Sequence, residues 1–141
     1  MEADRAPLMT LVIDASIALV WFLPDEDSAA ADATLHRVIE TQAFVPDLFW
    51  HEMRNVLLLS YRRKRIGRHD IWQSMLRLSQ LAITTIAPSN TDLVLTLADR
   101  HGLTAYDAAY LALAIERQLP LATLDRQLIA AAPAEGVVLI A

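Results

Sequence analysis

The chain has 141 residues, 55% of them hydrophobic, enough for one domain spanning 1–141 with a buried core of its own. It has no cysteine and only four histidines, which excludes disulfides and thiolate metal sites and leaves oxygen as the donor for any bound metal. A net charge of −5 opposes indiscriminate nucleic-acid binding. No apolar run approaches the roughly 18 residues of a membrane span, and Glu2 and Asp4 near the start do not suit a secretory signal, so the chain reads as cytoplasmic with no membrane partner.

Residues 1–9 read as a leader outside the core, with Met9 an alternative start. Leu11 to Ile13 is a short apolar strand ending at Asp14, followed by a helix over 15–22 that stops before Pro24. Asp27 and Ser28 suit the cap of a second helix reaching Thr41, and Ala43 to Val45 a second strand. Pro46 and Asp47 open a long helix to Arg65, with Gly67 as its C-cap. Five of the twelve basic residues, Arg62, Arg63, Lys64, Arg65 and Arg68, sit at its exit within seven positions. Such a run suits either a solvated helix end or a phosphate contact. A helix over 70–80, a strand over 84–86 and a helix from a Ser89/Asp92 capping box to His101 come next, the last ended by Gly102. A strongly apolar helix over 106–117, a strand over 121–124, a helix over 125–132 and a strand over 137–140 complete the order.

Short, wholly apolar strands alternating with helices predict an α/β fold, a three-layer α/β/α sandwich on a central, mostly parallel sheet. Ligands of such sheets bind beyond the carboxyl ends of the strands. Four acids converge there. Asp14 and Asp125 each end a strand, and each suits equally the N-cap of the following helix. Asp107 opens the apolar helix, with Thr104 three residues before it as in a capping box. Glu52 lies on the apolar stripe of its helix between Leu48 and Val56, where a carboxylate is costly unless paired or metal-bound. Asn55 shares its side of the helix, and Ser16 and Thr123 stand two residues from Asp14 and Asp125. Grouped carboxylates repel unless a divalent cation neutralises them, and hard oxygen ligands select magnesium or manganese. Metal-assisted phosphodiester hydrolysis is the reaction class such a site serves.

The segments Val12-Ile-Asp14-Ala-Ser16, Pro46 through Glu52-x-x-Asn55, Thr104-Ala-Tyr106-Asp107-Ala-Ala-Tyr110 and Ala122-Thr123-Leu-Asp125-Arg resemble the PIN domain, in particular the VapC toxins of bacterial toxin–antitoxin pairs. The likeness spans nearly the whole chain in order. It implies a homodimeric endoribonuclease dependent on Mg2+ (or Mn2+) and neutralised by a VapB-type antitoxin. Carried over by motif, Asp14, Glu52, Asp107 and Asp125 form the catalytic metal site, with Ser16, Asn55 and Thr123 in support. Arg62, Arg63, Lys64, Arg65 and Arg68 are then candidate contacts to the RNA substrate. Two other readings compete. One is a PIN-fold module that binds RNA or protein without cutting, against which the full set of acids speaks. The other, a phosphoacceptor receiver domain, wants an acidic neighbour to Asp14 and a late strand-end lysine, whereas the only lysine is Lys64.

Overall fold

The computed structural model describes residues 10–140, so the leader reading of 1–9 lies outside the described residues. Within these residues four strands, β1 (Leu11–Ile13), β2 (Ala43–Pro46), β3 (Ile83–Ile86) and β4 (Leu121–Ala122), form one sheet in the order β3-β2-β1-β4. All three pairings are parallel, with Leu11 opposite Ala43, Val12 opposite Leu121 and Ala43 opposite Ile83. Leu11, Val12 and Ile13 are fully buried, because β1 is covered on both faces. At the edge, β3 turns Thr84 and Thr85 to solvent.

Among the described residues seven helices flank the sheet: α1 (Ala15–Val20), α2 (Ala29–Glu40), α3 (Leu48–Arg62), α4 (Arg68–Ser79), α5 (Thr91–His101), α6 (Ala105–Arg117) and α7 (Arg126–Ala134). Helix α6 lies against β1, β2 and β4 and carries α5 and α7 outside it, while α1 joins α2 and α3, which reach β4 and β2, and α4 packs on α3. The layers are those of the expected α/β/α sandwich. None of the helices among the described residues is long and apolar enough to cross a membrane.

Four local expectations are corrected. The left-handed residue that ends α3 is Lys64, at φ 62°, not Gly67; Arg65 N–H then reaches back to the Ser60 carbonyl at 2.9 Å, closing a Schellman-type turn. Gly67 instead starts α4, its N–H donating to the Asp70 carboxylate at 2.7 Å. Helix α5 is capped by Asn90, which accepts from Asp92 N–H at 2.8 Å and Leu93 N–H at 3.2 Å, so the Ser89/Asp92 box does not form. The last expected strand reduces to a single parallel bridge between Leu139 and Leu121. Finally, β4 stops at Ala122, two residues before the expected end, because the Leu124 N–H is taken by the Ser16 hydroxyl at 2.9 Å. This last departure serves the site.

Candidate metal centre

Strands β1 and β4 are neighbours, so the residues that leave their carboxyl ends emerge side by side. Asp14 follows β1 and is only 4% exposed. It caps α1, accepting from Ile17 N–H at 3.3 Å, and receives the Ser16 hydroxyl at 2.6 Å and the Thr123 hydroxyl at 2.5 Å. Cap and site roles therefore coexist. Thr123 also accepts from Asp125 N–H at 3.0 Å, which links the two strand ends through one hydroxyl. Asp125 caps α7 through Oδ1, with Gln127 N–H at 2.9 Å and Leu128 N–H at 3.1 Å, while Oδ2 accepts no hydrogen bond among the described residues.

The other two acids come from opposite helical layers. On α6, Asp107 sits in the first turn, where its own N–H donates to the Thr104 capping hydroxyl at 3.1 Å. On α3, the half-buried Glu52 accepts from the phenol of Tyr110, a side chain of α6 that is 1% exposed. Asp14, Glu52, Asp107 and Asp125 line one cleft of about 200 Å³, together with Ala15, Ser16, Leu19, Val56 and Tyr110. Among the described residues no lysine, arginine or histidine lines it. A larger cavity of about 390 Å³ opens at the amino edge of the sheet beside Leu119 and Pro120, away from all four acids.

Burial and mutual repulsion make charge costly in this cleft. Desolvation pushes the Asp14 carboxyl up to about 6, against hydrogen bonds from Ser16, Thr123 and Ile17 that favour the anion, and the Asp125 charge adds to the rise. Burial likewise raises Glu52, opposed by the Tyr110 hydrogen bond and reinforced by Asp107. Asp107 is raised by burial and by Asp125, while Thr104 works the other way. Burial and the adjoining Glu52 hold the Tyr110 phenol protonated, far above the usual range, so it acts as a fixed donor.

Among the described residues no three acids or histidines converge tightly enough to form a ready-made cation cage. The four carboxylates instead rim an open cleft. That arrangement fits Mg2+, which keeps much of its water and takes one or two protein carboxylates, better than it fits a dehydrated all-protein site. The donor set is wholly oxygen and its charge is uncompensated, as a hard divalent cation requires.

Of the expected supporting groups, Ser16 lines the cleft and Thr123 lies buried beneath it. Asn55 is exposed and does not line it. At about 100° per residue, Val56 at i+4 follows Glu52 more closely than Asn55 at i+3, and Val56 takes the cleft wall. The basic residues do not line the cleft either: Arg62, Arg63, Lys64, Arg65 and Arg68 are all exposed, and Arg62 lies ten residues beyond Glu52, about 15 Å along the helix axis. Arg65 pairs with Glu26 at 3.6 Å, and the Arg68 guanidinium stands 4.9 Å from the Trp72 ring centre. Tyr110 was not anticipated as a site residue. Its signal was a polar-tipped aromatic three residues after Asp107 on the most apolar helix.

Three comparisons bear on this arrangement. The profile of the PIN domain matches residues 11–133. Ribonuclease VapC3 of Pyrobaculum aerophilum is 35% identical over 131 residues, covering 89% of this chain and 97% of the relative. Among solved structures, PAE2754 from Pyrobaculum aerophilum superposes with a TM-score of 0.72 at 23% identity, covering 97% of this chain and 88% of that one. A toxin–antitoxin complex from Klebsiella pneumoniae has a TM-score of 0.62 at 19% identity, covering 84% of this chain and 90% of that one. FitAcB from Neisseria gonorrhoeae gives 0.66 at 16% identity, covering 94% and 97%. At these identities the solved structures speak to the fold alone.

Proposed function

This chain belongs to the PIN domain family, and on that premise we propose that it is the endoribonuclease toxin of a toxin–antitoxin pair, hydrolysing RNA phosphodiester bonds in the acidic cleft. The observation that carries the reading is the convergence of Asp14, Glu52, Asp107 and Asp125, from four separate elements, on one cleft that no basic side chain among the described residues lines. Similarity to a VapC ribonuclease over nearly the full length of both chains supports the same activity.

Asp14 and Asp107 would hold Mg2+ (or Mn2+), with Glu52 and Asp125 at its flanks. When bound, such an ion supplies activation of a water molecule and neutralisation of charge at the phosphoryl group. The protein's own part is orientation. Ser16 and Thr123 fix both oxygens of Asp14 as acceptors, and the α1 N-terminus favours its charged form. The Tyr110 phenol turns Glu52 toward the cleft and keeps it from pairing elsewhere. Ala15, Leu19 and Val56 give the cleft an apolar wall that limits bulk water beside the reacting group.

Arg62, Arg63 and Lys64 make no ion pair among the described residues and suit more distant phosphates of the same RNA strand. A cognate antitoxin of VapB type would find in the acidic cleft a complement for a basic side chain, in competition with the metal. Similarity to a VapC ribonuclease over nearly the full length of both chains is what supports this partner class.

The test is cleavage of a broad RNA pool with added Mn2+ or Mg2+ by wild type and by Asp14→Ala and Asp107→Asn, with the fragment ends sequenced. A reproducible set of cuts, absent from both variants and from chelated wild type, is expected. Equal cutting by the variants, or none by wild type across the pool, would sink the nuclease reading.

A further inference from the structure

Tyr106 is 67% exposed, compared with 58% for Trp72 and 36% for Tyr61. The Trp72 ring is already covered by Arg68. Tyr106 has no hydrogen bond, ion pair or ring contact among the described residues. Its ring contributes nothing visible to the core, yet it is placed beside Asp107 in the first turn of α6.

The helix sets where that ring lies. Tyr106 and Tyr110 are one turn apart on one face of α6, separated by about 6 Å of rise, and side chains on a helix lean toward its N-terminus. Tyr110 reaches Glu52 from the cleft wall, and Asp107, between the two tyrosines in sequence, lines the same cleft. Tyr106 itself does not line the cleft; it is the exposed neighbour of two residues that do, adjacent to Asp107 and one turn before Tyr110. Among the described residues the neighbouring cleft offers no cationic side chain to grip a phosphate. Stacking on an aromatic ring is a neutral contact that an acidic cleft does not oppose, and an unpaired base can supply it where a base locked in a duplex cannot.

We propose that Tyr106 is a positioning residue whose ring stacks on an unpaired RNA base next to the phosphate in the cleft. The proposal rests on RNA being the substrate of this cleft.

The experiment measures fluorescence anisotropy of a labelled single-stranded RNA hexamer and of its duplex, with wild type, Tyr106→Phe and Tyr106→Ala, in calcium, whose looser coordination differs from that of magnesium. Cleavage kinetics in Mn2+ are recorded on the same preparations. Tyr106→Phe should bind the single strand as wild type does, and Tyr106→Ala about 5- to 150-fold more weakly. Duplex binding should be indifferent to both changes, and in cleavage KM should rise for Tyr106→Ala with kcat little altered. Unchanged single-strand affinity of Tyr106→Ala overturns the proposal, as does equal weakening by Tyr106→Phe, which would assign the effect to the hydroxyl, or wild type binding no RNA. Cutting that persists while binding ignores Tyr106 sinks this proposal and keeps the nuclease reading. Tyr106-dependent binding without cutting does the reverse.

Discussion

The Tyr110 phenol donates a hydrogen bond to the Glu52 carboxylate, joining helix α6 to helix α3 across the mouth of the sheet, 58 positions apart in the chain. This contact holds a carboxylate in the cleft without a countercharge. In Tyr110→Phe the buried ring remains and the donor is lost. Because that hydrogen bond lowers the Glu52 pKa, its removal should raise the pKa further and move the acid limb of the cleavage profile to higher pH. Stability should fall by about 1 kcal/mol, the size of one partly exposed hydrogen bond to a charged group. An unmoved acid limb would show that Glu52 plays no part in the titration of activity.

Asp14→Asn should abolish cutting while making the metal-free protein more stable at neutral pH. The Asp14 carboxyl stands at about 6 in the folded chain, raised chiefly by burial from an ordinary aspartate value of 3.8. The folded state thus holds this proton more tightly than the unfolded one. Stability is greatest below the unfolded value, falls as pH rises between the two, and levels off above the folded one. The full penalty is about 3 kcal/mol. Asparagine keeps an acceptor for the α1 cap and carries no charge, but its amide nitrogen cannot accept the Thr123 hydroxyl, so the gain is smaller than the full penalty by about 1 kcal/mol. Urea midpoints in chelator from mild acid to neutral pH check the sign, and a variant less stable than wild type at neutrality would contradict it.

Divalent metal should reverse the same penalty. Adding Mg2+ or Mn2+ to wild type at neutral pH should raise the unfolding midpoint, by about 3 kcal/mol of stability at a hundredfold excess over Kd. Asp107→Asn should blunt the rise. A midpoint indifferent to metal would leave the four acids without the ligand assigned to them.

Glu135 predicts the opposite pH dependence, far from the cleft. It accepts from His101 at 2.6 Å and Arg100 at 2.7 Å, clasping the end of α5 to the segment after α7, and these partners hold its carboxyl below the usual glutamate range. A lowered carboxyl stabilises the fold above its unfolded pKa, and that contribution is lost as pH falls through the folded value. Glu135→Gln should cost about 1 kcal/mol at neutral pH and nothing once wild-type Glu135 is itself protonated. Paired denaturation curves at neutral and strongly acidic pH decide this, with cleavage unaffected at neutral pH.

Neutralising Arg62, Arg63 and Lys64 together should weaken RNA binding across sequences and reduce the slope of log affinity against log salt by up to about 2, with kcat retained. The cluster's distance from the cleft is the reason to expect an effect on binding alone. A slope identical to wild type removes these residues from the RNA path.

The alternation of apolar strands with amphipathic helices was legible in the chain because each element's periodicity is local, and with it came the α/β/α layers and the strand-end positions of Asp14 and Asp125. Asp107 and Glu52 were legible as acids in apolar surroundings. Lys64 took the left-handed position expected of Gly67, and Asn90 the cap expected of Ser89, because neighbouring backbone groups compete for the same bonds. Only the tertiary structure decided how the acids are held. It set Thr123 between Asp14 and Asp125, Tyr110 on Glu52 and Val56 rather than Asn55 along the cleft wall. These are pairings between groups distant in sequence, fixed by how the helices pack across the sheet. Helical and strand periodicity assigns a residue to a face but not to a partner.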